Sequence, residues 1–116
     1  MTDKIVVSTT CGSAEEAQRL ARLLVEDRLA ACVQVLPSVR SVYRWRGAVE
    51  ESGEWLLLIK SRRDLFDEIR RRVRAAHSYE LPELLAAAVV DGEPDYLAWM
   101  DSGLREPASL QDGAAL

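Results

Sequence analysis

The sequence is poor in the residues that mark several protein classes. It holds one histidine, His77, and two cysteines, Cys11 and Cys32, in 116 residues. Two widely spaced thiols make no disulfide framework, and nothing demands an oxidising compartment. No Cys-x-x-Cys pair occurs, and one Cys with one His cannot complete a four-ligand zinc site within one chain. No apolar run approaches the ~18 residues of a membrane span, and the run that follows Lys4 is too short for a signal peptide. A cytoplasmic protein without a membrane partner is expected. There is no Gly-rich phosphate loop of the P-loop or dinucleotide kind. Net charge is −4 and the pI is about 5.0, a balance that disfavours phosphate backbones, so nucleic acid is not an expected partner. No catalytic motif surrounds the single histidine, and no enzymatic activity is expected. Internal repeats and low-complexity linkers are absent.

What is present is a globular domain. A hydrophobic fraction of 48% with 29% charge fits one core and one domain, placed at residues 1–106. Residues 4–10 are β-branched and apolar and predict a strand. Ser13 with Glu16 three residues on is a capping box, and Ala17, Leu20, Ala21 and Leu24 continue at helical spacing over 14–27. Residues 29–36 predict a buried strand. Pro37 interrupts it, and 39–46 continue in alternation, with Ser41, Tyr43 and Trp45 on one face and Arg40, Arg44 and Arg46 on the other. Gly47 and Gly53 bracket a polar turn region, and 55–60 return as a strand. Ser61 with Asp64 offers a second capping signal before a helix carrying Leu65, Ile69, Val73 and Ala76. A loop over 77–83 leads to an apolar strand over 84–90. Pro94 opens a short third helix whose Tyr96, Leu97 and Met100 are expected to face inward, with Gly103 as its stop. Residues 107–116 read as a frayed tail.

The order β-α-β-β-α-β is the ferredoxin-like α+β pattern, in which both helices cover one face of the sheet. The other face of such a sheet is polar in a monomer. Here the third strand places Trp55, Leu57 and Ile59 on one face and Leu56 and Leu58 on the other, and the last strand is apolar throughout. Leaving such side chains wet forgoes roughly 1.5–3 kcal/mol each, so a partner subunit is expected to cover them.

Few residues could carry chemistry. His77 is either a cap at a helix C-terminus or a ligand in a pocket or metal site. Cys11, just before a helix N-terminus, is either a small buried residue or a soft metal ligand. Cys32, inside an apolar run, reads as core. Tyr43 and Trp45 would wall a cleft or pack at an interface. Lys60 ends an apolar strand and either snorkels or meets an anion. The arginines at 70, 71, 72 and 74 are matched by acidic residues, with Asp67–Arg71 and Glu68–Arg72 expected as i, i+4 pairs.

Several segments together resemble the CutA family of divalent-cation tolerance proteins. They are Thr10-Cys11, Arg28-Leu29-Ala30-Ala31-Cys32-Val33 and Ser41-Val42-Tyr43-Arg44-Trp45-Arg46-Gly47. Glu54 with Ile59-Lys60, then His77, Tyr79-Glu80, Pro82-Glu83 and Tyr96-Leu97-Ala98-Trp99 complete the set. The resemblance implies a ferredoxin-like subunit in a homotrimer, with long hairpins pairing across subunits and ligand clefts between neighbours, as in the PII signalling proteins. It implies a role in tolerance of copper and other divalent metals, with a metal ion such as copper or a small ligand bound in the clefts. The ligand set that follows is Tyr43, Trp45, Lys60, His77, Tyr79 and Glu83, with His77 and Cys11 as candidate metal ligands. Where some members offer a strand cysteine and a His-His pair, this sequence has Thr9, and Ala76 before His77. A signalling or structural trimer that binds another protein is the alternative. A small hydrolase of the acylphosphatase type would need an arginine in the loop 9–13, which has none.

Overall fold

A computed structural model of the protein describes residues 1–107; the tail expected over 107–116 lies, from residue 108 on, outside the described residues. Strand β1 (Lys4–Cys11) is followed by helix α1 (Ala14–Glu26), whose N-cap is Ser13: its hydroxyl accepts the Glu16 N–H at 3.1 Å. Only half of the expected capping box forms, because the Glu16 carboxylate turns away to another partner. At the far end Arg28 takes φ 59, and the Leu29 and Ala30 amides both bond the Leu24 carbonyl at 2.9 and 3.1 Å. This left-handed exit absorbs Leu29 and Ala30, both buried, into the end of the helix rather than into the strand expected to begin at 29.

Strands β2 (Cys32–Trp45) and β3 (Ala48–Arg62) form one long antiparallel hairpin. Its turn is two residues, Arg46 and Gly47, with φ of 51 and 84. Two successive positive φ values define the tight turn that matches strand twist, and glycine suits the second position. The polar stretch 48–53, expected as a turn, is therefore strand: Gly53 pairs with Arg40 and Ser52 with Ser41. Its polarity reflects exposure on both sides of a ribbon. The register slips once, where Pro37 and Ser38 (φ 64) oppose Trp55 in a bulge.

A 3-10 turn (Arg63–Leu65) leads into helix α2 (Phe66–Ala76) without a side-chain cap. The expected Ser61–Asp64 signal is diverted. Ser61 donates to the Leu29 carbonyl at 2.6 Å inside the core, and Asp64 takes the Arg62 guanidinium at 2.6 Å. The charged pairs on α2 also shift by one residue: Asp67–Arg70 and Glu68–Arg71 form, while Arg72 reaches Asp27 on α1. Strand β4 (Leu85–Ala88) is shorter than expected and lies at the sheet edge beside β1.

The sheet runs β2-β3-β1-β4, antiparallel throughout, and the fold is ferredoxin-like. Ile5, Val7, Leu57, Ile59 and Cys11 meet Leu20, Leu24, Ile69 and Val73 in the core. The opposite face is open. Alternation puts Val6, Leu56, Leu58 and Leu36 on it, together with Cys32, which is half-buried there and not in the core. Helix α3 (Pro94–Gly103) fastens to one end of that face: Asp101 takes Arg62 at 3.0 Å and Lys4 at 3.3 Å. Met100 is buried, but Tyr96 and Trp99 stay largely exposed, contrary to the inward orientation expected for Tyr96. Among the described residues no helix is long and apolar enough to cross a membrane.

Candidate functional site

Beyond the bulge the β2–β3 hairpin becomes an arm, Val39–Trp45 paired with 48–54 and, among the described residues, with no third strand on either side. Alternation gives one face of the arm Ser41, Tyr43, Trp45, Ser52 and Glu54. That face overhangs the loop between α2 and β4. Between them lies an open groove of about 820 Å³, walled by Tyr43, Trp45, Glu54, Tyr79, Glu80 and Glu83 and floored by Thr10.

Hydrogen bonds tie the two walls together. Tyr43 and Ser52 share a hydroxyl–hydroxyl bond of 2.7 Å across the ribbon. The Tyr79 hydroxyl donates to Glu54 at 2.7 Å, linking loop to arm. At the rim Arg46 bonds Glu80 at 3.2 Å, with its guanidinium 5.3 Å from the Trp45 ring centroid. Arg46 thus belongs to the turn and the groove side, not to the Arg40 and Arg44 face on which alternation placed it. Burial first, then the Glu54 hydrogen bond and charge, push the Tyr79 hydroxyl far above its ordinary pKa of 10.0, so Tyr79 stays protonated and donating.

The loop is fixed from behind by His77 and Glu16. The His77 side chain is fully enclosed. Its Nδ1 lies 3.0 Å from the Tyr79 N–H, which must donate, so Nδ1 accepts. Its Nε2 lies 2.6 Å from the Thr10 carbonyl, which can only accept, so Nε2 carries the proton. The ring is a neutral imidazole in one tautomer, stitching β1 to the loop, with its centroid 4.7 Å from that of Tyr79. It is the C-cap residue of α2 by position, but its ring does not cap the helix carbonyls. The Glu16 carboxylate accepts the Ser78 N–H at 2.7 Å and the Ser78 hydroxyl at 3.1 Å. Burial would raise the Glu16 pKa, but the Ser78 hydrogen bonds outweigh it and hold the carboxyl below its ordinary 4.5.

The residues singled out from sequence therefore divide. Tyr43, Trp45, Tyr79 and Glu83 converge on the groove. His77 stands behind it and positions Tyr79. Lys60 lies six residues along β3 from Glu54, about 20 Å away at strand rise, where its amine is 3.4 Å from the Tyr96 hydroxyl. Cys11 is buried on the core face, with its sulfur 3.9 Å from His77 Nε2. Burial, followed by the Glu16 and Glu54 charges, pushes its thiol up to about 11. A copper ion fits this pair poorly: both imidazole nitrogens are engaged and the sulfur is held as a thiol, whereas coordination needs a free nitrogen lone pair and a thiolate. No group of three or more His, Cys, Asp or Glu able to hold a metal ion occurs among the described residues. Sequence reasoning passed over Glu16, Ser52 and Thr10. Glu16 was hidden by its role in a capping signal, and its real partner is 62 residues away.

A family model described as CutA1 divalent ion tolerance protein matches residues 5–103 of this chain. The chain belongs to the CutA1 divalent ion tolerance family. It is 44% identical over 95 residues to the divalent-cation tolerance protein CutA of Thermus thermophilus, covering 82% of this chain and 92% of that one. It is 40% identical over 102 residues to the chloroplastic protein CutA 1 of Oryza sativa; there it covers 88% of this chain but spans only 58% of the longer plant protein. Among solved structures, CutA from Xylella fastidiosa superposes with a TM-score of 0.87 at 38% identity, over 90% of this chain and all of that one. The Thermus thermophilus CutA1 structure gives 0.86 at 41% identity, over 88% of this chain and 99% of that one. The extent of these matches places the whole CutA-like subunit, arm included, within the family fold.

Proposed function

We propose that the protein acts as a homotrimer in divalent-cation tolerance, with the groove beneath the arm as a cleft for a small ligand at the subunit boundary. The observation that carries this reading is the arm itself. A two-stranded ribbon is marginal in water, and here it extends from the sheet with Val42 and Val49 largely exposed and Tyr43 and Trp45 partly so. A ribbon of this length holds its shape when a neighbour pairs with or covers it. The groove has walls on two sides and is open on the third, so a neighbour that covers the arm would also close the cleft. The apolar open face of the sheet, with Leu36, Leu56 and Leu58 beside the exposed edge strand, supports the same assembly. The Cys11–His77 pair contributes by holding Tyr79 in the wall and not as a copper site.

Light scattering coupled to gel filtration tests the assembly. Three times the 13.0 kDa chain mass is expected at micromolar protomer concentration, and a stable monomer overturns the reading. Titration calorimetry with Cu(II) tests the site assignment. Wild type, His77→Ala and Cys11→Ser are expected to bind copper with equal affinity or not at all. A specific loss in both variants would restore the pair as the metal site.

A further inference from the structure

Among the described residues the groove is lined by three carboxylates, Glu54, Glu80 and Glu83, and by no lysine, arginine or histidine. The three are not equivalent. Glu80 and its partner Arg46 are both exposed at the rim. Glu54 is only 6% exposed, its Oε2 receives the neutral Tyr79 hydroxyl, and no cationic side chain pairs with it among the described residues. A buried carboxylate with no counter-ion is an expensive arrangement, stable when a cation arrives from outside the chain. The other arm arginines are directed away: Arg40 and Arg44 alternate onto the opposite face of the ribbon, where Arg40 lies 3.8 Å from Glu51. Burial first, then the Glu54 hydrogen bond and charge, hold the Tyr79 hydroxyl above its ordinary pKa, so the group that meets Glu54 is a neutral donor and not a counter-ion.

The chemistry of the cation follows from the rest of the lining. A divalent metal ion needs several hard oxygens converging on one point. Glu80 is engaged by Arg46, and the lining carboxylates do not gather into a ligand trio. What borders Glu54 is hydroxyl and aromatic surface: Ser52, two residues along the same face, and Tyr43, about two-fifths exposed, whose hydroxyl bonds Ser52 at 2.7 Å, whereas Trp45, opposite Ala48, lies about 20 Å up the ribbon at strand rise. Aromatic faces attract cations and also cover apolar carbon. On the reading that this groove is the ligand cleft, we propose that it takes a small organic cation, with a primary ammonium at Glu54 and an apolar body against the Tyr43 ring.

The test uses the assembled full-length protein and three probes of one shape at neutral pH. They are 2-phenylethylammonium, the neutral 2-phenylethanol and the anionic phenylacetate. In titration calorimetry the ammonium is expected to bind about tenfold to a hundredfold more tightly than the alcohol, the span of a charge-assisted hydrogen bond, and phenylacetate more weakly still. Glu54→Gln should bring the ammonium down to the affinity of the alcohol and leave the alcohol unchanged, with the assembly mass unaltered. Tyr43→Ala, at an exposed position, should weaken ammonium and alcohol alike, and it decides the location if Glu54→Gln fails to fold. Equal affinity for all three probes overturns the cationic preference but leaves a ligand cleft standing. Ammonium binding that neither Glu54→Gln nor Tyr43→Ala diminishes overturns the site. Failure of every probe to bind an intact assembly overturns the cleft reading itself.

Discussion

Replacing His77 by alanine examines the link between the fold and the groove most directly. The enclosed imidazole makes two bonds, accepting from the Tyr79 N–H at 3.0 Å and donating to the Thr10 carbonyl at 2.6 Å. Each buried group left without its partner costs about 1–3 kcal/mol. Truncation also removes roughly 60 Å³ of packed volume, a further cost of about 1 kcal/mol or more at about 24 cal/mol per Å³ of cavity. The alanine variant is therefore expected to lose about 3–7 kcal/mol. His77→Gln can place a donating amide near Nε2 but offers no acceptor at Nδ1, so it should recover about 1–2 kcal/mol of that. Urea unfolding at neutral pH, at one fixed protomer concentration, measures both, because an assembled protein carries an association term that varies with concentration. The near-ultraviolet circular dichroism of the tyrosines should change in parallel, since Tyr79 loses the bond that sets its backbone. An alanine variant within 1 kcal/mol of wild type, with the Tyr79 signal intact, would refute the assignment of His77 as the pin between β1 and the loop.

Three further substitutions address other parts of the argument. Leu58→Glu, on the open face, should leave the subunit folded but reduce its assembly mass, whereas Leu57→Glu, fully buried under the helices, should abolish soluble folded protein; the same behaviour from both would contradict the two-faced sheet. The Glu16 carboxyl lies below its ordinary 4.5 in the folded state, so the unfolded chain takes up the proton first as pH falls. The stability this provides is complete above pH 4.5 and disappears as pH drops through the folded value; Glu16→Gln should be less stable at neutral pH and show a shallower loss in urea midpoints measured from pH 7 to 3. Gly47→Ala meets no neighbouring atom but must adopt φ +84, so about 1 kcal/mol of destabilisation is expected in the same unfolding assay, and an unchanged midpoint would argue against the tight turn.

Periodicity made the elements legible wherever local pattern and tertiary packing agreed. The stripe Ala17, Leu20, Ala21, Leu24 is buried as expected, and Ser13 caps its helix. The errors fall where a local signal has a distant partner. Ser61 and Asp64 have the spacing of a cap, but the core offers Ser61 the Leu29 carbonyl and Arg62 claims Asp64. The run 48–53 is polar enough for a loop, yet a ribbon wet on both faces permits polar residues in a strand, and the turn signal lay in Arg46-Gly47 alone. Leu29 and Ala30 are apolar enough for a strand but complete the end of a helix, because an apolar pair that follows a left-handed residue can pack back over the last turn.

The site was half legible for a related reason. Tyr43 and Trp45 share a strand face by alternation, and alternation is a local rule. That they should face Tyr79 and Glu83 follows from the hairpin overhanging a loop more than thirty residues away, which no local pattern specifies. The histidine was noticed for its residue type, as the only imidazole in the chain, but the structure uses its geometry: one acceptor and one donor on opposite sides of a rigid ring. Glu54 carried no chemical signal at all in a stretch with Glu50 and Glu51 nearby. What separates it is depth. Beside the bulge, where the arm rejoins the sheet, the Tyr79 hydroxyl meets the buried Glu54 carboxylate, while Glu50 and Glu51 remain in water. Three glutamates within five positions thus have different electrostatic meanings, and only the buried one can demand a cation from outside the chain.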